Sequence, residues 1–116
     1  MSKDFLVARY QHLPIYKLTY ELLLKVVKRT KDFPKEFKYT LGEKLKDELM
    51  ELIVLIYRAN SEEDRVGTIR IIAERVQVIE LLVRLSQDLK LISKAQYASL
   101  VEATQSLNKQ VPFVGG

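Results

Sequence analysis

The sequence predicts an all-α fold, an antiparallel up-down-up-down four-helix bundle, on three observations. Apolar residues recur at helical spacing in four successive stretches, with about 100° between residues. Only four glycines and three prolines punctuate 116 residues. The connections between the periodic stretches are short, and short connections favour antiparallel neighbours. A composition of 47% apolar and 29% charged residues belongs to an ordered chain. Its length suits one domain, residues 1–116, with a core of useful size.

The first helix is expected over about 14–31. Pro14 suits a first helical position, where its missing N–H costs nothing. Ile15, Leu18, Leu22 and Val26 form the core line, widened by Tyr16, Tyr20, Leu23 and Val27, while Lys17, Glu21, Lys25 and Lys28 take the other side. Phe33 and Pro34 end it. The second helix is expected over about 35–60, with Leu41, Leu45, Leu49, Leu52, Ile53 and Ile56 inward and Glu43, Asp47, Glu51 and Arg58 outward. Gly42 lies early in it. A glycine there costs about 1 kcal/mol against alanine, so a bend or a close helix contact explains it better than a ligand does.

The third helix, about 61–91, is the most informative stretch. Ser61 reads as its N-cap, with Glu62, Glu63 and Asp64 in the first turn. Ile69, Ile72, Val76, Ile79 and Val83 share one face; Ile71, Val78, Leu81, Leu82, Leu85 and Leu89 gather roughly opposite. A polar strip with Arg70, Gln77, Glu80, Arg84 and Asp88 lies between. The first stripe can bury within the chain, but the second leaves apolar surface in water unless something covers it. Another copy of the chain is the economical cover. A break at Ile92 and Ser93 leads to the fourth helix, about 93–110, with Tyr97, Leu100, Val101, Thr104, Leu107 and Val111 on one face. Pro112 stops it, and residues 1–12 and 112–116 are expected to be flexible.

The net charge is +4 and its distribution is uneven. From Lys25 to Lys46 eight basic residues (Lys25, Lys28, Arg29, Lys31, Lys35, Lys38, Lys44, Lys46) face three acidic ones (Asp32, Glu36, Glu43), whereas residues 62–116 carry seven of each sign. In an up-down-up-down bundle the first and third connections share one end. Arg84, Lys90 and Lys94 would join the cluster there. Clustered lysines and arginines match the phosphate-neutralising term of nucleic-acid binding, although cations also simply suit a helix C-terminus. Several copies would multiply a weak patch. Tyrosines interleave with basic residues at Arg9-Tyr10, Lys38-Tyr39 and Tyr57-Arg58; stacking on bases is one use, packing at an interface the more ordinary one.

Catalytic chemistry is thin. Cysteine is absent, which removes disulfides, thiolate metal sites and cysteine nucleophiles. The single histidine, His12, has no second histidine beside it. Bundle metal sites need Glu-x-x-His pairs, and none occurs; Glu43, Asp47 and Glu51 align but read as a solvated face. Ser61, Ser86 and Ser93 suit caps and helix surfaces better than nucleophiles. No glycine loop for phosphates and no membrane span is evident. A non-enzymatic, cytoplasmic protein without cofactors is expected.

Three stretches together resemble a known family: LPIYKLTYELLLKVVKRTKDFP (13–34), KEFKYTLGEKLKDELMELIVLIYRAN (35–60) and LSQDLKLISKAQYASLVE (85–102). The chain is similar to the accessory variability proteins of diversity-generating retroelements, themselves similar to four-helix bundles encoded in intervening sequences of ribosomal RNA genes. The resemblance implies a homopentameric barrel that binds the element's reverse transcriptase and its RNA template or cDNA, supports mutagenic retrohoming and has no catalysis of its own. Residues are assigned by chemistry alone. Lys25, Lys28, Arg29, Lys31, Lys35, Lys38, Lys44, Lys46, Lys90 and Lys94 are the candidate phosphate contacts. Arg70, Arg75 and Arg84 are candidate channel or polymerase contacts, and Ile71, Val78, Leu81, Leu82, Leu85 and Leu89 the candidate oligomer interface. The ribosomal-RNA type of bundle, a structural or protein-interaction module, is the alternative.

Overall fold

The computed structural model describes residues 13–61 and 65–111. Four helical runs make up nearly all of it: α1 (Pro14–Thr30), α2 (residues 35–61), α3 (Val66–Asp88) and α4 (Lys94–Gln110). No strand occurs among the described residues. Both α1 and α3 pack against α2 and against α4, so the four helices enclose one core. Leu22 and Val26 of α1 and Leu45, Leu49, Leu52 and Ile56 of α2 are buried there. Ile72, Val76, Ile79 and Val83 of α3 and Leu100 and Leu107 of α4 complete it. Each such side chain contributes about 1.5–3 kcal/mol by leaving water.

Two sets of contacts fix which helix ends meet. A cavity of about 240 Å³ is lined by Leu13 and Ile15 from the start of α1, Ile56 and Asn60 from the end of α2, Ile69 from early α3 and Gln110 from the end of α4. Toward the other end, Lys25 Nζ donates to Ser99 Oγ at 3.1 Å. There too Thr30, the last residue of α1, lies against Gly42. Buried hydroxyls are satisfied locally: Thr19 donates to the Ile15 carbonyl at 2.7 Å and Ser86 to the Leu82 carbonyl at 2.9 Å. Ser86 is therefore a core residue, not the surface hydroxyl its sequence context suggests.

Pro14 opens α1 as expected, with Leu13 in the cap position and no side-chain cap. The second helix has an unforeseen winding. Lys35–Phe37 is α-helical, Lys38–Gly42 is π-helical and Glu43–Ser61 is α-helical again. A reason lies in the spacing of Phe37, Leu41, Leu45 and Leu49, three successive steps of four residues. On an α-helix each such step drifts by about 40°, which would carry Phe37 off the core. One wider π turn cancels the drift. Gly42 makes the close contact its position implies, since a Cβ there would lie 3.2 Å from Thr30 Cβ.

The third helix is shorter than its periodicity predicts at both ends. Ser61 does not cap it: Ser61 is the last residue of α2, and its hydroxyl donates back to the Arg58 carbonyl at 3.1 Å. Arg65 holds the cap position of α3 without a side-chain cap. The proposed first-turn carboxylates at 62–64 lie outside the described residues, as do His12 and the segments 1–12 and 112–116 expected to be flexible. At the other end α3 stops at Asp88 because the chain reverses through Lys90, whose φ is 60°. The Leu91 amide donates to the Ser86 carbonyl at 2.9 Å and the Lys90 amide to the Gln87 carbonyl at 2.9 Å. This is the Schellman arrangement, with lysine where glycine is usual. Ser93 then caps α4 reciprocally with Gln96: the Gln96 amide donates to Ser93 Oγ at 3.1 Å, and the Ser93 amide to Gln96 Oε1 at 2.9 Å.

Candidate nucleic-acid interface and assembly faces

The two faces of α3 separate in the fold as their spacing demands. Ile72, Val76, Ile79 and Val83 are buried, and Ile69 packs against them. On the opposite side Ile71, Leu81, Leu85 and Leu89 are exposed, Leu81 to 64%. Val78 is half-buried, and Leu82 packs against the chain's own core, so it belongs partly to the inside.

A second apolar stripe was hidden in α1. Tyr20 and Val27, read as widening the core line, are exposed, and so is Leu24 between them. These positions follow at i, i+4 and i+7 and share one face. On α2, Met50 and Val54 are also exposed. Among the described residues none of the exposed large apolar side chains lies on α4. The molecule thus has apolar surface on three helices and a polar fourth.

The basic residues divide by what they already touch. Lys46 pairs with Glu43 at 2.7 Å, Lys44 with Glu48 at 3.0 Å and Arg84 with Asp88 at 3.8 Å, while Lys25 is tethered to Ser99. Lys28, Arg29, Lys31, Lys35, Lys90, Lys94 and Arg70 are exposed, with no ion-pair partner among the described residues. Lys28, Arg29 and Lys31 close α1, and Lys35 opens α2 a few residues later. Lys38 Nζ lies 5.8 Å from the centre of the exposed Tyr39 ring.

Arg75 has an internal task. Its Nη1 donates to both carboxylate oxygens of Glu48, at 3.1 and 3.0 Å, and Lys44 Nζ approaches the same carboxylate at 3.0 Å. Burial pushes the Glu48 carboxyl up, but the hydrogen bonds and charges of Lys44 and Arg75 outweigh it and hold the group below the usual carboxylate range. Glu48 is the polar core residue the sequence pattern left unmarked. Its signal was its register: it sits at i+3 from Leu45 and just before Leu49, on the inward face, where Lys44 of its own helix and Arg75 of α3 together make a carboxylate tolerable. No group of three or more potential metal ligands occurs among the described residues, and no described helix is long and apolar enough to cross a membrane.

A family model described as bAvd-like matches residues 13–112, nearly the whole chain. The chain belongs to the bAvd-like family. Its members are accessory, non-catalytic proteins associated with diversity-generating retroelements. The match begins at Leu13, where the described structure begins, and covers all four helices. Comparisons with curated proteins and with solved structures found no match.

Proposed function

We propose that the chain is an oligomeric adaptor of a retroelement, which docks the element's reverse transcriptase and holds RNA template or cDNA product on a basic surface. The observation that carries this reading is a division of labour on one small bundle. Exposed apolar stripes on α1 and α3 call for a cover, while Lys28, Arg29, Lys31 and Lys35 around the α1–α2 connection form no ion pair among the described residues, although Asp32 and Glu36 lie in the same stretch. The helix-end contacts support an up-down-up-down topology, which sets Lys90 and Lys94 at the same end as Lys28, Arg29, Lys31, Lys35 and Lys38. Copies joined side by side then present several such ends together, and their phosphate contacts add.

Two different apolar stripes favour a heterologous contact, α3 of one copy against α1 of the next. Such contacts close into a ring when the rotation permits; the family resemblance favours a homopentamer, and the expected compartment is the cytoplasm. Arg70 stays available as a polymerase or channel contact, as does Arg84 if its long, exposed pair with Asp88 opens, whereas Arg75 is committed to Glu48. Replacing Lys28, Arg29, Lys31 and Lys35 together by glutamate should abolish an RNA gel shift and leave helicity and oligomer mass intact. Unchanged binding by that variant would overturn the reading, and a protein that never shifts RNA would leave the structural-module alternative.

A further inference from the structure

We infer that Tyr39 is a stacking platform, so that the basic end recognises unpaired nucleic acid by its bases as well as by its phosphates. The inference rests on the reading of that end as a phosphate-binding surface. Tyr39 is the most exposed aromatic side chain among the described residues, at 60%. Its environment is unlike that of the apolar stripes, because Lys38 and Thr40 flank it and Lys35, Glu36 and Glu43 lie within about one turn of it. A tyrosine destined for a bundle or subunit seam ordinarily sits among apolar partners.

The backbone beneath the ring is held in place. Phe37 packs against the core, Leu41 is buried, Gly42 is wedged against Thr30, and Thr40 Oγ1 donates to the Glu36 carbonyl at 2.6 Å. Tyr39 lies within the π turn, a local winding often found at functional sites. A ring displayed from fixed backbone loses little freedom on binding, since only two side-chain torsions remain to be ordered. The Lys38 ammonium, 5.8 Å from the ring centre, adds a cation beside the platform. A base stacked on Tyr39 brings its own phosphates to Lys38 and Lys35. Duplex cannot use the platform in this way, because its bases are already stacked on one another.

The test uses the full chain and three labelled probes of equal length, read by fluorescence anisotropy: single-stranded oligoadenylate RNA, a fully abasic strand with the same phosphates, and an RNA duplex. The wild type should bind oligoadenylate more tightly than the abasic strand. Tyr39→Ala should weaken oligoadenylate binding roughly 5-fold or more and leave abasic-strand binding, duplex binding and oligomer mass unchanged, while Tyr39→Phe keeps the wild-type affinity. Equal affinities of the wild type for oligoadenylate and the abasic strand overturn the inference, as does no loss in Tyr39→Ala, an equal loss on the abasic strand, or a change in oligomer mass. Salt-dependent binding without any of the Tyr39 effects sinks this inference alone. A wild type that takes up none of the probes even at low salt sinks the basic-end reading with it.

Discussion

Arg75 on α3 grips both oxygens of the Glu48 carboxylate on α2, and Lys44 shares one of them. The Glu48 side chain is only 5% exposed, while the Arg75 side chain is 34% exposed. Ion and counter-ion are therefore asymmetric: removing Glu48 leaves a cation that can still reach water, but removing Arg75 strands a buried anion.

Arg75→Ala should accordingly destabilise the protein more than Glu48→Gln. We expect roughly 1–3 kcal/mol for Arg75→Ala, reduced from the fully buried case because Lys44 remains and solvent is near. Urea unfolding of both variants measures this, and equal stabilities would remove the asymmetry.

The pH dependence has a definite sign. Glu48 binds its proton less readily folded than unfolded, so its contribution is fully present above the ordinary carboxylate pKa. It is lost as pH falls through the lowered folded value. Melting temperature should therefore drop below about pH 4.5 more steeply in the wild type than in Glu48→Gln. Parallel curves would show that other carboxylates dominate acid unfolding.

Lys90 holds a left-handed turn with a φ of 60°. A Cβ there costs about 1–2 kcal/mol, part of which glycine returns through its freer unfolded chain. Lys90→Gly should raise stability by roughly 0.5–1 kcal/mol while Lys90→Ala stays near neutral. If Lys90 also contacts phosphate, the stabilised glycine variant binds RNA more weakly. Thermal melts and anisotropy on the same preparations separate the two effects.

Ile71, Leu81 and Leu85 are exposed in the single chain, so changing all three to polar residues should leave helicity intact and lower the native mass. Changing Tyr20 and Leu24 to polar residues should do the same if neighbouring copies join through unlike faces. A two-fold contact through α3 alone would be indifferent to the α1 changes. Native mass spectrometry of the two variants tells these arrangements apart.

The core faces were legible because apolar residues recur at near-helical spacing in four stretches, and the double face of α3 could be seen from its sequence. Other features had no local mark. Glu48 looks like one more surface acid until Arg75 is brought to it from 27 residues away. The end of α3 lacks the glycine or asparagine that usually announces a left-handed turn, so the period seemed to run on to Leu91. The π turn follows from several four-residue steps acting together, a cumulative drift that no single residue displays. At α1, the wide apolar face made Tyr20 and Val27 look internal; a bundle of four helices is too narrow to cover so broad an arc. The basic residues were legible as a cluster, but which of them are already paired depends on side-chain reach.

The account stands most directly on the salt dependence of RNA binding. The logarithm of the binding constant for single-stranded RNA should fall linearly with the logarithm of salt, with a slope of about −0.7 for each phosphate neutralised. Replacing Lys28, Arg29, Lys31 and Lys35 by glutamate should flatten that slope and weaken binding at low salt without changing oligomer mass. Binding that ignores salt, or a slope the four substitutions leave untouched, would contradict it.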